Sequence, residues 1–443
     1  MTILTTLRRG ARGNEVRELQ RLLLGWGYNP GPIDGVFGAK TEQAVLQFQR
    51  DHGLTRDGIV GPITWRALQS QLPGYQMYTI QAGDTFYKIA LRFQISLSSL
   101  LAVNPGVDPN QLRIGQQIRI PVPGPVPEPV LTRVVSGWLP YWVQSLAFQS
   151  VQNHPEIFHS ISPFWYVMTS DGDVLSFPGA ESSTILSYAR AHGISVIPLI
   201  TNSFDSELIS IVLNDPVLRQ RHVQNIVSKT VQMDYPGIDI NYENLYVRDR
   251  ELFVIFLREL KAALYAMGRL LIVSVHAKTD AAGAWSGAEA HDYVGIGQAA
   301  DAVRVMGYDF HWQGSDPGPV APADWVDAVL AYAVSTIPRN KIELGVPVSG
   351  YDWPLGQTAT SVTYSFAVAK ANQYNVPIAL DALLGPHYTY IDIAGIGHEV
   401  WFVDALYFET LLDLVNKYDI RGICIWHLGA EDPKIYDAII GKF

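Results

Sequence analysis

The chain has a single cysteine in 443 residues, Cys424, so no intramolecular disulfide can form. Its neighbours Ile423, Ile425 and Trp426 place it in an apolar strand, where a small buried thiol is inert. Positive charge is also scarce: 32 Lys and Arg stand against 42 Asp and Glu, a net charge of −10. That balance argues against nucleic acid or a membrane surface as the partner, since both select for basic patches. An anionic polymer would have to be held by stacking and hydrogen bonds rather than by net charge. No apolar run is long enough to cross a bilayer. The opening MTILTTLRRG lacks a basic stretch followed by about seven apolar residues, so no secretory signal is expected. His154, His159, His222 and His276 show no metal-ligand spacing, and neither a metal nor a cofactor is expected.

At this length one hydrophobic core is not enough, and two or three domains are expected. The clearest boundary is PVPGPVPEP at 121–129, whose five prolines allow neither a helix nor a central strand. Residues 122–131 are therefore predicted to be an extended, semi-rigid linker. A weaker boundary is Leu72-Pro73-Gly74. The expected modules are 1–72, 76–121 and 132–443.

Residues 1–72 predict three helices. Val16, Leu19 and Leu23 recur at helical spacing; Thr41 is placed to cap a helix with Ala44, Val45 and Phe48 inside; Thr64 is placed to cap one carrying Trp65 and Leu68. Residues 76–121 predict a β-α-α-β unit. Tyr78-Thr79-Ile80 is a strand, and Gly83-Asp84-Thr85 opens a helix with Ile89, Ala90 and Phe93 on one face. Leu97, Leu100 and Leu101 form a second helix ended by Asn104-Pro105, and Ile118-Arg119-Ile120 is the closing strand.

Residues 132–443 alternate short apolar runs with helical stretches. The runs fall at 134–138, 161–166, 196–200, 237–242, 271–275, 302–306, 342–347 and 422–426. Among the helices, one starts at Asp215-Pro216, a cap followed by proline at the first helical position. Another carries Phe253, Phe256, Leu257, Leu260 and Leu264. Eight such units predict an α/β fold, a (β/α)₈ TIM barrel; a doubly wound sheet would not need eight. The stretch from Trp353 to Arg421 is too long for one crossover, so a small α+β insertion is expected at 357–400, between strands 7 and 8.

The segment Gly237-Ile238-Asp239-Ile240-Asn241-Tyr242-Glu243 carries the chemistry. Strand alternation puts Asp239, Asn241 and Glu243 on one face at spacings of about 7 Å. Three polar groups inside a barrel are costly unless hydrogen-bonded, and Glu243 lies at the strand's C-terminal end, where barrel enzymes place their chemistry. Periodicity alone also allows the opposite facing, with Ile238, Ile240 and Tyr242 inward.

Three motif sets resemble known families. In 1–72 the pattern Gly10-x-x-Gly13-x-x-Val16-x-x-Leu19-Gln20, followed by Asp34-Gly35-x-Phe37-Gly38-x-x-Thr41 and Asp57-Gly58-x-Val60-Gly61-x-x-Thr64-Trp65, resembles the three-helix peptidoglycan-binding domain. Gly83-Asp84-Thr85 with the Gly-Gln-x-Ile-x-Ile-Pro ending at 115–121 resembles a LysM module. That resemblance implies binding of N-acetylglucosamine units, with Gly83, Asp84, Thr85 and Phe86 at the sugar groove beside the 105–114 loop. The 237–243 strand, Met306-Gly307-Tyr308-Asp309, and Trp426 resemble glycoside hydrolase family 18. Gly345-Val346-Pro347 and Gly350-Tyr351-Asp352-Trp353 fit its seventh strand, and Trp426-His427-Leu428-Gly429 and Val400-Trp401-Phe402 look most like its branch that degrades spore cortex fragments.

The family resemblance implies hydrolysis assisted by the substrate's own acetamido group. Glu243 would be the acid, Tyr308 would hold the acetamido oxygen, Trp426 would stack under the sugar, and Asp239 would anchor the polar network. Asp309, Trp142 and Tyr351 would complete the sugar site. Two positions depart from the family pattern. Pro236 replaces the first Asp of its signature, and Asn241 stands where a carboxylate usually neighbours the acid, which implies a smaller rise in the acid's pKa and reduced or pH-shifted turnover. The expected partner is peptidoglycan or another N-acetylglucosamine glycan, with a location at the spore coat, cortex or cell wall. A lectin-like protein without turnover and a chitinase remain open as alternatives.

Overall fold

A computed structural model describes residues 6–443 apart from 27, 53, 70–74, 82–83, 94–99, 101–103, 105–106, 108, 110–111 and 122–131. The chain divides into two compact units, Met1–Pro129 and Val130–Phe443. The 122–131 linker and Gly83 lie outside the described residues.

In the first unit, helices Asn14–Gly25, Ala39–Asp51 and Pro62–Gln69 bury Val16, Leu19, Val45, Phe48 and Leu68. Two loops repeat one device. The Gln20 amide binds Asp34, the Val36 carbonyl and the Gly35 N–H, and Gln49 does the same with Asp57, Ile59 and Gly58. Thr41 and Thr64 do not cap their helices. Both lie one turn inside, where the hydroxyl of each donates to a loop carbonyl, Pro30 and Ile59 respectively. Tyr75–Thr79 and Gln117–Pro121 pair antiparallel, with helix Phe86–Arg92 between them in sequence. Of the expected second helix only Leu100 is described, and it is buried.

In the second unit all eight apolar runs become strands of one parallel barrel. They are Val134–Leu139, Ser160–Met168, the pair Ser195–Val196 and Leu199–Thr201, Gly237–Asn241, Leu270–His276, Ala302–Met306, Ile342–Pro347 and Gly422–Trp426. The last pairs with the first through Gly422 and Val134, which closes the ring. Asp215 caps the helix that starts at Pro216 by accepting the Val217 and Leu218 N–H groups. Helix Arg250–Ala266 buries Phe253, Phe256, Leu257, Leu260 and Leu264. No described helix is long and apolar enough to cross a membrane.

The insertion is present but starts earlier than expected. Residues 350–353 are not part of the seventh barrel strand; they belong to Ser349–Pro354, which pairs antiparallel with Gly397–Trp401 in a separate five-stranded sheet. The apolar positions are even through Val348 and odd from Tyr351, so the change of phase at Ser349-Gly350 marks the exit. The chain leaves the barrel after Pro347, and the Val348 N–H turns to the Trp426 carbonyl.

The barrel interior holds a charged layer. Arg304, with no exposed surface, donates Nη1 to Asp239 at 2.6 Å and Nε to Glu343 at 3.0 Å; Nη1 also bonds Ser162. Glu343 accepts a second guanidinium, Arg421 Nε, at 3.0 Å. Removing the central cation would leave Asp239 without a counter-charge in a low-dielectric interior and Glu343 with Arg421 alone. Arg304→Met is expected to cost about 3–5 kcal/mol of stability, measured by urea unfolding; a variant as stable as the parent would remove this layer from the account of the fold.

Candidate active site

The fourth barrel strand sends its odd and even residues to opposite sides. Ile238, Ile240 and Tyr242 lie outward among the helices, where the Tyr242 hydroxyl donates to His222 Nε2 at 2.6 Å and its ring stacks on Phe256. Asp239, Asn241 and Glu243 therefore point inward. A parallel barrel is covered by helices, so its outer face must be apolar.

The three inward residues form a ladder. Asp239 is deepest and fully buried, accepting from Trp138 Nε1 at 3.1 Å and Ser274 Oγ at 2.9 Å as well as from Arg304. Asn241 donates Nδ2 to Glu243 Oε1 at 3.1 Å; its own Oδ1 is buried and has no hydrogen-bond partner among the described residues. Glu243 is 8% exposed. Its backbone is clamped by one amide, which donates Asn202 Nδ2 to the Glu243 carbonyl at 2.8 Å and accepts the Glu243 N–H on Oδ1 at 2.9 Å.

Burial pushes the Glu243 carboxyl up to about 8; the Asn241 hydrogen bond pulls it down and the nearby Asp309 charge pushes it up. The leading cause is desolvation, so the acid keeps its proton near neutrality although residue 241 is uncharged.

A cavity of about 400 Å³ opens above the ladder, lined among others by Asn241, Glu243, Tyr308, Asp309, Trp142 and Trp426. Its floor is aromatic. Tyr308 and Trp426 stack 5.9 Å apart with planes 10° from parallel, and Trp138 meets Trp426 edge-on at 5.8 Å. Trp142 stands at the mouth with half its surface exposed, edge-on to Phe164. Tyr351 does not line the cavity. It reaches in from the insertion and donates its hydroxyl to Asp309 Oδ1 at 3.0 Å. Asp309 sits at a left-handed φ of 61°, and burial raises its carboxyl to about 6.

The site thus brings together Glu243, Asn241, Tyr308, Asp309, Trp426 and Trp142, with Asp239 beneath and Tyr351 behind. Three neighbours were missed from sequence: Trp138, Asn202 and His276. Asn202 directly follows the third barrel strand and His276 ends the fifth. Reading the last residues of every barrel strand, as was done for the fourth, would have found both. In the LysM-like module, Asp84 accepts from the Tyr78 hydroxyl and the Gln81 N–H, each at 2.8 Å, and Thr85 accepts the Lys88 N–H. Phe86 does not face solvent: it is 2% exposed and packs in the core with Ile89 and Ile118, because it opens the helix on its inner side.

The raised carboxyl links to stability. Folded Glu243 holds a proton that the unfolded chain releases near its ordinary value of 4.5. Its stabilising contribution is complete below that value and is lost as pH rises through about 8. Glu243→Gln cannot ionise. It is expected to match the parent at about pH 4 and to exceed it by roughly a few kcal/mol at about pH 8.5, compared by denaturant unfolding; equal gains at both pH values would contradict a buried, proton-holding acid.

Comparison with known proteins agrees with this geometry. The profile provisionally described as a peptidoglycan binding domain matches residues 12–68, and that of the LysM domain matches 78–121. The profile of glycosyl hydrolases family 18 matches 161–431. YdhD of Bacillus subtilis (strain 168), provisionally named a sporulation-specific glycosylase, is 31% identical over 90% of this chain and 94% of its own. The crystal structure of the Bacillus cereus spore cortex-lytic enzyme SleL superposes with a TM-score of 0.65 at 29% identity, covering 83% of this chain and 86% of that one. A chitinase from Chromobacterium violaceum ATCC 12472 reaches a TM-score of 0.67 at 25% identity over 70% of this chain and 99% of its own. With the family profile spanning most of the barrel and Glu243 just past the end of its fourth strand, the chain belongs to glycosyl hydrolases family 18.

Proposed function

We propose that the enzyme cleaves β-1,4 bonds after N-acetylglucosamine in peptidoglycan, with spore cortex or its fragments as the polymer, and that it acts at the spore or cell wall. The observation that carries the mechanism is the pairing of a proton-holding Glu243 with an Asn241 whose Oδ1 has no partner. The usual two-carboxylate scheme needs a second acid beside the sugar. Asp239 is spent on Arg304, position 241 is an amide, and Asp309 is engaged by the Tyr351 hydroxyl. A 2-acetamido sugar supplies its own nucleophile instead.

Trp426 stacks beneath the sugar, whose C–H face suits an aromatic ring. The acetamido N–H donates to Asn241 Oδ1, and the acetamido oxygen accepts from the Tyr308 hydroxyl. That oxygen then bonds to the anomeric carbon as the glycosidic C–O bond breaks. The Glu243 proton passes to the leaving oxygen. Water opens the resulting oxazolinium ion and returns a proton to Glu243. Asn241 does this without a negative charge to balance the ion, so the step is slower than with a carboxylate. Asp309 supports the site from the sixth strand, held by Tyr351.

The polymer is inferred from the relatives named for cortex lysis and from the two N-terminal modules. Charge supports it too. Residues 1–121 carry 13 Lys and Arg against 8 Asp and Glu, whereas 132–443 carry 19 against 33. The wall-gripping part is thus net positive, which suits an anionic polymer better than neutral chitin. The chitinase likeness keeps chitin as the second reading. In the LysM-like module, Asp84 and Thr85 are proposed to shape the sugar groove; buried Phe86 is not.

Mass spectrometry of products from cortex peptidoglycan and from an N-acetylglucosamine oligomer, side by side, tests the substrate. Fragments ending in reducing N-acetylglucosamine are expected from the cortex, formed faster than from the oligomer; cleavage of the oligomer alone would favour the chitinase reading. Glu243→Gln is expected to lose about 10²–10⁴-fold in rate, and full activity in that variant would refute the acid. Asn241→Asp should raise kcat and move the alkaline limb of the pH profile upward, since a like charge now neighbours the acid. An unchanged rate and profile would mean that residue 241 does not tune it.

A further inference from the structure

His276 ends the fifth barrel strand, and its side chain faces the acid. Its Nε2 is buried, has no hydrogen-bond partner among the described residues, and lies 3.5 Å from Glu243 Oε2. The other carboxyl oxygen, Oε1, is already an acceptor for Asn241 Nδ2. Oε1 is thus occupied as an acceptor, and Oε2, which faces His276, is the oxygen open to carry the Glu243 proton. A carboxylate at position 241 could share that proton, whereas Asn241 turns its Nδ2 donor to Glu243.

The groups around His276 hold it in this pose. Its backbone N–H donates to His291 Nδ1 at 3.0 Å, which leaves the His291 proton on Nε2, donated to the Tyr242 carbonyl at 3.0 Å. His291 thereby ties the strand end carrying His276 to the residue preceding Glu243. The Tyr293 hydroxyl donates to the His276 carbonyl at 2.7 Å, and Lys278 Nζ donates to the His291 carbonyl at 2.6 Å. The two imidazoles stack 5.1 Å apart, and Trp285 meets His276 edge-on at 4.6 Å.

We propose that His276 is the positioning residue of the acid: its Nε2 accepts the Glu243 Oε2 proton and aims it until the leaving oxygen takes its place. The inference rests on Glu243 being the acid. At 3.5 Å the contact is longer than a formed hydrogen bond, and catalytic hydrogen bonds are often long until substrate tightens them. Burial and the neighbouring His291 hold the His276 ring well below the ordinary imidazole range. The ring is therefore neutral and its contact with Glu243 is not an ion pair; with the ring proton on Nδ1, Nε2 accepts. His276 does not itself exchange a proton with the sugar. It replaces the anchoring that residue 241 cannot supply.

The test uses the full chain and a tetramer of N-acetylglucosamine. His276→Leu removes the acceptor and His276→Gln retains one. The leucine variant is expected to lower kcat about tenfold, with KM within about twofold of the parent and a displaced alkaline limb in the kcat pH profile; the glutamine variant should recover most of the rate. In the Asn241→Asp background the leucine substitution should cost much less, because the new carboxylate can share the proton. If His276→Leu keeps the parent's kcat and profile, or if the leucine and glutamine variants are equally impaired, the positioning role is overturned. Should the leucine variant fail to fold, His276→Asn, whose shorter amide cannot reach Oε2, stands in its place against the glutamine. Glu243→Gln separates the two levels: an active Glu243→Gln sinks the acid itself, whereas an inactive one beside an unaffected His276→Leu sinks only this inference.

Discussion

A guanidinium with no access to water sits at the centre of the barrel, and the site depends on it. Arg304 enters from the sixth strand and neutralises Asp239 on the fourth and Glu343 on the seventh. An isolated charge of either sign would be intolerable there; two carboxylates held by Arg304 and Arg421, with Ser162, Ser274 and Trp138 as neutral partners, are not. The layer locks the inward face of the fourth strand. Once Asp239 is held, the period of two brings Asn241 and then Glu243 to the mouth, each one step nearer the cavity.

The same strand shows how opposite environments are built from adjacent residues. Outward, Tyr242 is wedged between His222 and Phe256. Inward, Glu243 is desolvated beneath aromatic rings, which is why its carboxyl rises to about 8. The environment that makes Glu243 a proton donor near neutrality also works against the folded state once it ionises. Asn202, the insertion's Tyr351 and the His276–His291 pair then hold the groups around the cavity from three further directions.

Much of this was legible beforehand. Eight apolar runs, a capped helix at Asp215-Pro216 and a polar face ending in Glu243 are local patterns, and local patterns survive in the sequence. Tyr308 and Trp426 were found through their resemblance to a family, not through any property of their own, since an aromatic residue in a barrel strand is usually only packing. What escaped was long-range. Asn202 touches Glu243 across 41 residues and His276 reaches it from the next strand. Locally, the change of phase at Ser349-Gly350 went unread, and the turn at Asp84 disguised Phe86 as surface.

The sequence by itself determined the order of modules, the eightfold alternation and the identity of the residue that ends the fourth strand. These follow from periodicity, proline content and side-chain type, which act over a few neighbouring residues. Only the tertiary structure decided which face of that strand is inward, that Asp239 is spent on Arg304, and that the acid's free oxygen meets His276. The reason is physical. Desolvation and hydrogen bonding depend on what lies across the barrel, and closure of the ring between the first and last strands is what brings those distant residues within reach.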